Sequence, residues 1–93
     1  MPLAEIVCAN SSIADTVYTL LQGGEKFERM VSLYSVGKSR TYNGDLGEVD
    51  IHRYAENIQK SLLQLKANEC TEPLAMGEQF VIFKRLVWDV RIQ

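Results

Sequence analysis

The sequence predicts an α+β domain in which helices surround a small, mostly antiparallel four-stranded sheet, in the order β-α-α-β-α-β-β. Three observations carry that expectation. Two successive segments in the first half repeat apolar residues at helical spacing, a third does so past the middle, and the C-terminal stretch reads as two β-rich runs hinged on a glycine. The chain has 93 residues, of which 46% are hydrophobic, enough for one modest core and a single domain over residues 1–93.

The elements follow in order. Residues 3–8 form a short strand around the β-branched Ile6 and Val7, stopped by Asn10, Ser11 and Ser12. A helix starts at once. Ser12 and Asp15 resemble a capping box, Ile13, Val17, Leu20 and Leu21 share one face, and Gly23 with Gly24 ends it. The second helix, residues 25–34, has Glu25 in its first turn and Phe27, Met30, Val31 and Tyr34 as its core face. Residues 35–44 are a polar loop carrying Lys38 and Arg40, long enough to be a place where function sits. After a very short strand at residues 46–49, Asp50 caps a third helix whose stripe is Ile51, Tyr54, Ala55, Ile58, Leu62 and Leu65. Strands at residues 70–76 and 79–87 close the chain around a tight turn at Gly77.

Composition excludes several classes of function. Ten basic and twelve acidic residues give a net charge of −2 with no basic block, so no field draws in nucleic acid or an anionic membrane. No apolar run reaches the roughly 18 residues of a membrane helix, and the start MPLAEIVCANSS lacks the pattern of a signal peptide. Cys8 and Cys70 are too few and too scattered for a disulfide framework or a zinc site, and read as half-buried thiols. No metal or cofactor is expected. His52 beside Asp50 has the composition of a base with an orienting carboxylate, but no nucleophile is placed to use it, and an exposed first-turn histidine is the commoner arrangement.

The stretch YNGDLG, residues 42–47, concentrates turn chemistry at the end of the polar loop, since Asn43 and Gly44 both tolerate positive φ. With its surroundings it has a family likeness. LLQGGEKFERMVSLYS, a polar loop, NGDLG, a helix, ECTEPL and a last strand QFVIFKRL together resemble the parvulin-type peptidyl-prolyl isomerases from residue 4 to about residue 86. Gly24, Phe27, Tyr34, Ser35, Gly44, Asp45, Leu46, Gly47, Pro73 and Lys84 occupy the family's motif positions in order, with Asn43 in place of the usual first glycine of GGDLG.

The resemblance implies rotation about Xaa-Pro bonds of unphosphorylated, proline-containing polypeptides, in the service of protein folding, with an apolar residue before the proline. It places Leu46, Tyr54 and Ile58 on the proline-binding floor, where the family usually has leucine, methionine and phenylalanine, and adds Met76 and Glu78 to the substrate-binding set. It also exposes departures. Glu5 and Val81 stand where parvulins carry two histidines, and Gly37 stands where they carry cysteine or aspartate. Glu5 beside Val81 is no polar pair, so Glu5 either faces solvent or finds a partner such as Ser39 or a tyrosine hydroxyl. Phosphate-directed parvulins carry a basic cluster after the first strand; here that connection is Ala9, Asn10, Ser11 and Ser12. Lys38 and Arg40 in the loop have the charge to favour acidic substrates, but solvated loop charges are the commoner arrangement.

These substitutions imply a weak isomerase. Two other readings stay open: a binding or chaperone module that holds proline segments without turning them over, and a docking domain of a larger protein that uses the C-terminal segment around Trp88.

Overall fold

A computed structural model describes residues 1–87 of the chain, so Trp88 lies outside the described residues. The elements are β1 (Pro2–Cys8), α1 (Ser11–Gln22), α2 (Phe27–Tyr34), a 3-10 turn (Lys38–Tyr42), β2 (Asp45–Glu48), a second 3-10 turn (Ile51–Arg53), α3 (Glu56–Leu63), β3 (Leu74–Met76) and β4 (Gln79–Arg85). The α+β class and the order read from the sequence are those observed. The sheet order is β2-β1-β4-β3, and every neighbouring pair is antiparallel.

The first strand in sequence is therefore central. β1 pairs with β4 from Leu3↔Arg85 to Cys8↔Phe80, and helices cover both its faces. That is why LAEIVC is nearly continuous in apolar residues instead of alternating. On one face Ala4, Ile6, Cys8 and Ile82 meet Ala14 and Val17 of α1 and Phe27, Met30 and Val31 of α2. On the other, Leu3, Val7, Val81 and Phe83 meet Ile58 and Leu62 of α3, with Val49 and Leu65. Leu3, Ile6 and Phe83 are each 0% exposed, and burying a side chain of that size contributes roughly 1.5–3 kcal/mol.

Several boundaries differ from the sequence expectation, each for a local reason. The α1 cap is Asn10, not Ser12: its Oδ1 accepts from Ile13 N at 2.9 Å, and Ser12 and Asp15 lie inside the helix. Helix α2 starts at Phe27 because Glu25 is spent on ending α1. Glu25 N donates to Leu20 O and Gly24 N to Leu21 O, both at 3.1 Å, around Gly24 at φ +104°. The polar loop contains a 3-10 turn and is well tied. Arg40 is exposed, as expected of a loop charge, and it also ties the loop down, since its Nε and Nη2 donate to Ser32 O at 3.1 and 2.8 Å, capping the end of α2.

The third helix is split. Asp50 caps only the 3-10 turn, accepting from His52 N at 3.0 Å, and Tyr54 is extended at ψ 161° before α3 begins. Gln59 Nε2 donates to the freed Tyr54 O at 2.8 Å. The break puts Ala55 in solvent while Ile58 and Leu62 keep their place in the core. β3 is shorter than residues 70–76. Pro73 has no N–H to give to a ladder, and the register slips by one residue between the Cys70↔Lys84 bridge and Leu74↔Val81. There Thr71 takes over: its N donates to Phe83 O at 2.8 Å and its Oγ1 accepts from Phe83 N at 3.1 Å. β4 ends at Arg85 rather than residue 87. Cys8 is fully buried, not half-buried, and Cys70 is intermediate.

Two substitution pairs test this account by urea unfolding. Asn10→Ala is expected to cost about 1 kcal/mol and Ser12→Ala only a few tenths. Gly44 and Gly47 both have positive φ, +79° and +67°, but a Cβ on Gly44 would strike the Glu5 carbonyl and lie 2.9 Å from Val31 Cγ2, whereas Gly47 faces open space. Gly44→Ala should cost roughly 2–4 kcal/mol and Gly47→Ala about 1–2 kcal/mol.

Candidate functional site

The α3 face of the sheet carries an apolar patch with a graded depth. Val7, Val81, Phe83 and Ile58 form its buried base, and the partly buried Leu46, Tyr54 and Met76 pack over it. Alternation along the strands puts Leu3, Glu5 and Val7 of β1 on the same side as Val81 and Phe83 of β4. The Tyr54 ring meets the Phe83 ring edge-on, with centroids 5.4 Å apart and planes at 60°, a favoured aromatic geometry. Tyr54 stands at the break before α3, and Ile58, one turn into that helix, is buried in the same cluster.

One corner of the patch is polar. Ser39 Oγ donates to Glu5 Oε2 at 2.7 Å, so of the two fates open to Glu5 the structure shows the partnered one. Glu5 and Val81 are not side by side: Glu5 is opposite Phe83 and Val81 is opposite Val7. Glu5 lies on a central strand, since β1 is between β2 and β4. Gly37 sits against this corner, where a Cβ would come within 2.7 Å of Val7 Cγ2 and 3.6 Å of Glu5 Oε2. Val7 fills the space that a side chain at position 37 would need.

The corner is held by backbone. Glu5 N donates to Gly44 O and Gly44 N to Ser39 O, both at 2.8 Å. Val36 N donates to Val7 O at 2.8 Å, and Val7 N donates to Ser35 Oγ at 3.0 Å. The loop thus pairs with β1 where β2 stops, and Asn43 at φ 59° and Gly44 at φ 79° turn it into β2.

Electrostatics follow the same geometry. Burial raises the Tyr54 phenol above its ordinary range, the Glu5 charge raises it further, and Arg53 offsets part of this. Tyr54 therefore stays protonated at neutral pH and remains a donor. Cys8, in the opposite core, is pushed up to about 11 by desolvation. Cys70 is also raised by burial, with Lys84 opposing. Neither thiol is ionised at neutral pH, and neither belongs to this face.

Of the residues singled out from sequence, Glu5, Gly37, Leu46, Tyr54, Ile58, Met76 and Val81 converge here. Glu78 stays exposed in the Gly77 turn, outside the cluster. His52 is an exposed side chain whose Nδ1 lies 3.0 Å from Asp50 Oδ1, and the His52 backbone N–H is the main cause of the lowered Asp50 carboxyl. Phe83 and Val7 were missed as site residues, although the period-2 alternation through Val81 places Phe83 on this face. A cleft of about 480 Å³ opens elsewhere, between the end of α1 and residues 61–72, and shares no residue with the patch. Its mixed polar lining offers no convergent chemistry, so the patch and its carboxylate are the stronger site. Among the described residues no cluster of His, Cys, Asp and Glu is arranged to hold a metal ion, and no helix is long and apolar enough to cross a membrane.

Known proteins share this architecture. The rotamase family, described as the PPIC-type PPIASE domain, matches residues 8–86. Foldase protein PrsA of Bacillus subtilis (strain 168) is 30% identical over 83 residues, which make up 88% of this chain and 28% of that protein. The crystal structure of PrsA from Bacillus subtilis superposes with a TM-score of 0.83 at 28% identity, over 94% of this chain and 34% of that one. The chain thus spans about a third of the length of these relatives. The solution structure of NmPin, the parvulin of Nitrosopumilus maritimus, shares the fold at nearly equal length, with a TM-score of 0.76 and 24% identity over 94% of this chain and 95% of its own. With a family match over most of its length and the same sheet and helix arrangement, this chain belongs to the PPIC-type, or parvulin, family of peptidyl-prolyl cis/trans isomerase domains.

Proposed function

We propose that this domain binds unphosphorylated Xaa-Pro segments on the patch rimmed by Leu46, Tyr54 and Met76, and isomerises them slowly while assisting the folding of other polypeptides. The observation that carries this reading is the patch itself: partly exposed apolar side chains over a buried base, with a single polar corner, on the sheet face that the family resemblance assigns to proline binding. The foldase role is suggested by the Bacillus subtilis relative, of which this chain covers 28%.

The chemistry needed is modest. Amide resonance sets a barrier of roughly 18–20 kcal/mol to rotation about the Xaa-Pro bond. The twisted transition state has lost that resonance and is less polar at its carbonyl oxygen than either planar form, so a surface that grips the proline ring and strips water from the amide favours it. No bond to carbon is made or broken. Leu46, Tyr54 and Met76 supply the grip, and Ile58, buried at 2% exposure, supports them from below without reaching a ligand.

The low rate follows from the polar corner. Val81 is buried in the base and Gly37 carries no side chain, so neither offers a hydrogen bond to the reacting amide. Ser39 has a hydroxyl, but its proton is already given to Glu5. That occupied donor is the observation favouring the alternative, in which the patch holds proline segments without turning them over. A phosphate has no partner after β1, because only Ala9 and Asn10 separate β1 from α1. Val81, Gly37 and Glu5 are shape-setting positions in this reading, and Glu78 is left at the margin.

Exchange NMR on short Xaa-Pro peptides with substoichiometric protein tests the reading. Acceleration should be present, with shifts at Leu46, Tyr54 and Met76. Leu46→Ala and Tyr54→Ala should each lower it about tenfold, a loss of about 1.4 kcal/mol, and His52→Ala should leave it unchanged. Ile58→Ala should instead destabilise the fold by about 2–5 kcal/mol. Shifts without acceleration would establish the binding module, and neither effect would remove both readings.

A further inference from the structure

We infer that Glu5 makes this site selective for proline segments carrying a cationic residue, lysine or arginine, next to the proline. The inference rests on the proline-binding reading above and specifies its substrate class.

Glu5 is a partly buried carboxylate on a face otherwise built from Leu3, Val7, Val81 and Phe83. Among the described residues it has no cation within ion-pair distance, and the ion pairs found are Met1 N with Glu48 and His52 with Asp50. Its one side-chain hydrogen bond is from the neutral Ser39 hydroxyl to Oε2. A carboxylate has about four acceptor positions, so Glu5 retains capacity for a donor from outside. Its charge reaches the patch, as its contribution to the raised Tyr54 phenol shows.

The surrounding charges do not cancel it. The loop cation Arg40 is exposed and its guanidinium is engaged with Ser32 O at the end of α2. Lys38 and Arg53 are exposed, and exposed charges are screened within about 8–10 Å at ordinary ionic strength. The carboxylate, sheltered by Val7 and the loop backbone, is screened less. An ammonium or guanidinium beside a bound proline would find in it the unpaired acceptor of the patch, and a substrate carboxylate would meet repulsion. The apolar preference implied by the family resemblance is replaced by a charge preference, because of the three positions that depart from the family only Glu5 brings a charge to the polar corner.

The test compares isomerisation of matched peptides with lysine, arginine, leucine or glutamate before the proline, and a second set with lysine or glutamate after it. Wild-type protein should accelerate the lysine and arginine peptides about three- to tenfold more than their glutamate counterparts, with leucine between. Raising the ionic strength to about 1 M, where the screening length falls to about 3 Å, should narrow that gap. Glu5→Gln keeps an acceptor for Ser39 and should abolish the ranking of lysine and arginine over glutamate. Equal treatment of lysine and glutamate peptides by the wild type, or an unchanged ranking in Glu5→Gln, overturns the inference and leaves the isomerase reading intact. If even the leucine peptide is neither bound nor accelerated by the wild type, the isomerase reading fails and the inference with it.

Discussion

The hydrogen bond from Glu5 N to Gly44 O, 2.8 Å long, is the join on which the arrangement of this face depends. It clips the end of a ten-residue connection, residues 35–44, to the middle of the central strand. The approach is so close that only hydrogen fits at the α-carbon of position 44, whose Cβ would collide with the Glu5 carbonyl. From that clip the register of β2 against β1 follows, with its bulge between Leu3 and Ala4. Ser39 is delivered to the Glu5 carboxylate by the next bond along, Gly44 N to Ser39 O. Loop, edge strand and polar corner are one unit built on a glycine.

Much of this was legible in the amino-acid order. Element type and succession were plain, because Val17 with Leu20 and Met30 with Val31 keep helical period and Gly77 punctuates the final hairpin. Boundaries were less so. Ser12 and Asn10 are nearly equal as caps, and only the three-dimensional start of α1 at Ser11 chooses between them. The split of the third helix left no local mark: Ile51, Tyr54, Ile58 and Leu62 fit a single stripe, and the tertiary contact between Tyr54 and Phe83 accompanies the interruption. Leu46, Tyr54 and Ile58 were singled out by the family likeness, which could not say that Ile58 lies beneath the surface. The pairing of Glu5 with Phe83 instead of Val81 is a matter of strand register, which a single sequence leaves undetermined.

Positions 5, 37 and 81, where the family resemblance implies polar side chains, fit together as a set. Val81 is apolar and joins the base of the patch, Gly37 makes way for Val7, and Glu5 finds Ser39 in place of a partner on β4. No buried side-chain polar atom is left without a hydrogen bond among the described residues. The polar corner is thus a satisfied pair, Ser39 with Glu5, and the cost expected of an orphaned group in low dielectric does not arise. The outcome is a surface whose shape is fixed by packing and whose polarity is concentrated in a single carboxylate.

The sheet's rims have a bearing on how such a domain handles unfolded chains. Its outer strands, β2 and β3, are only four and three residues long, one carrying a bulge at Leu46 and the other preceded by Pro73 and a register slip. A partly folded polypeptide offers free backbone N–H and C=O groups and readily extends any long, straight rim it meets. These rims give it almost nothing to zip onto. What the sheet offers an extended chain is therefore the side chains of its face and not the backbone of its rims.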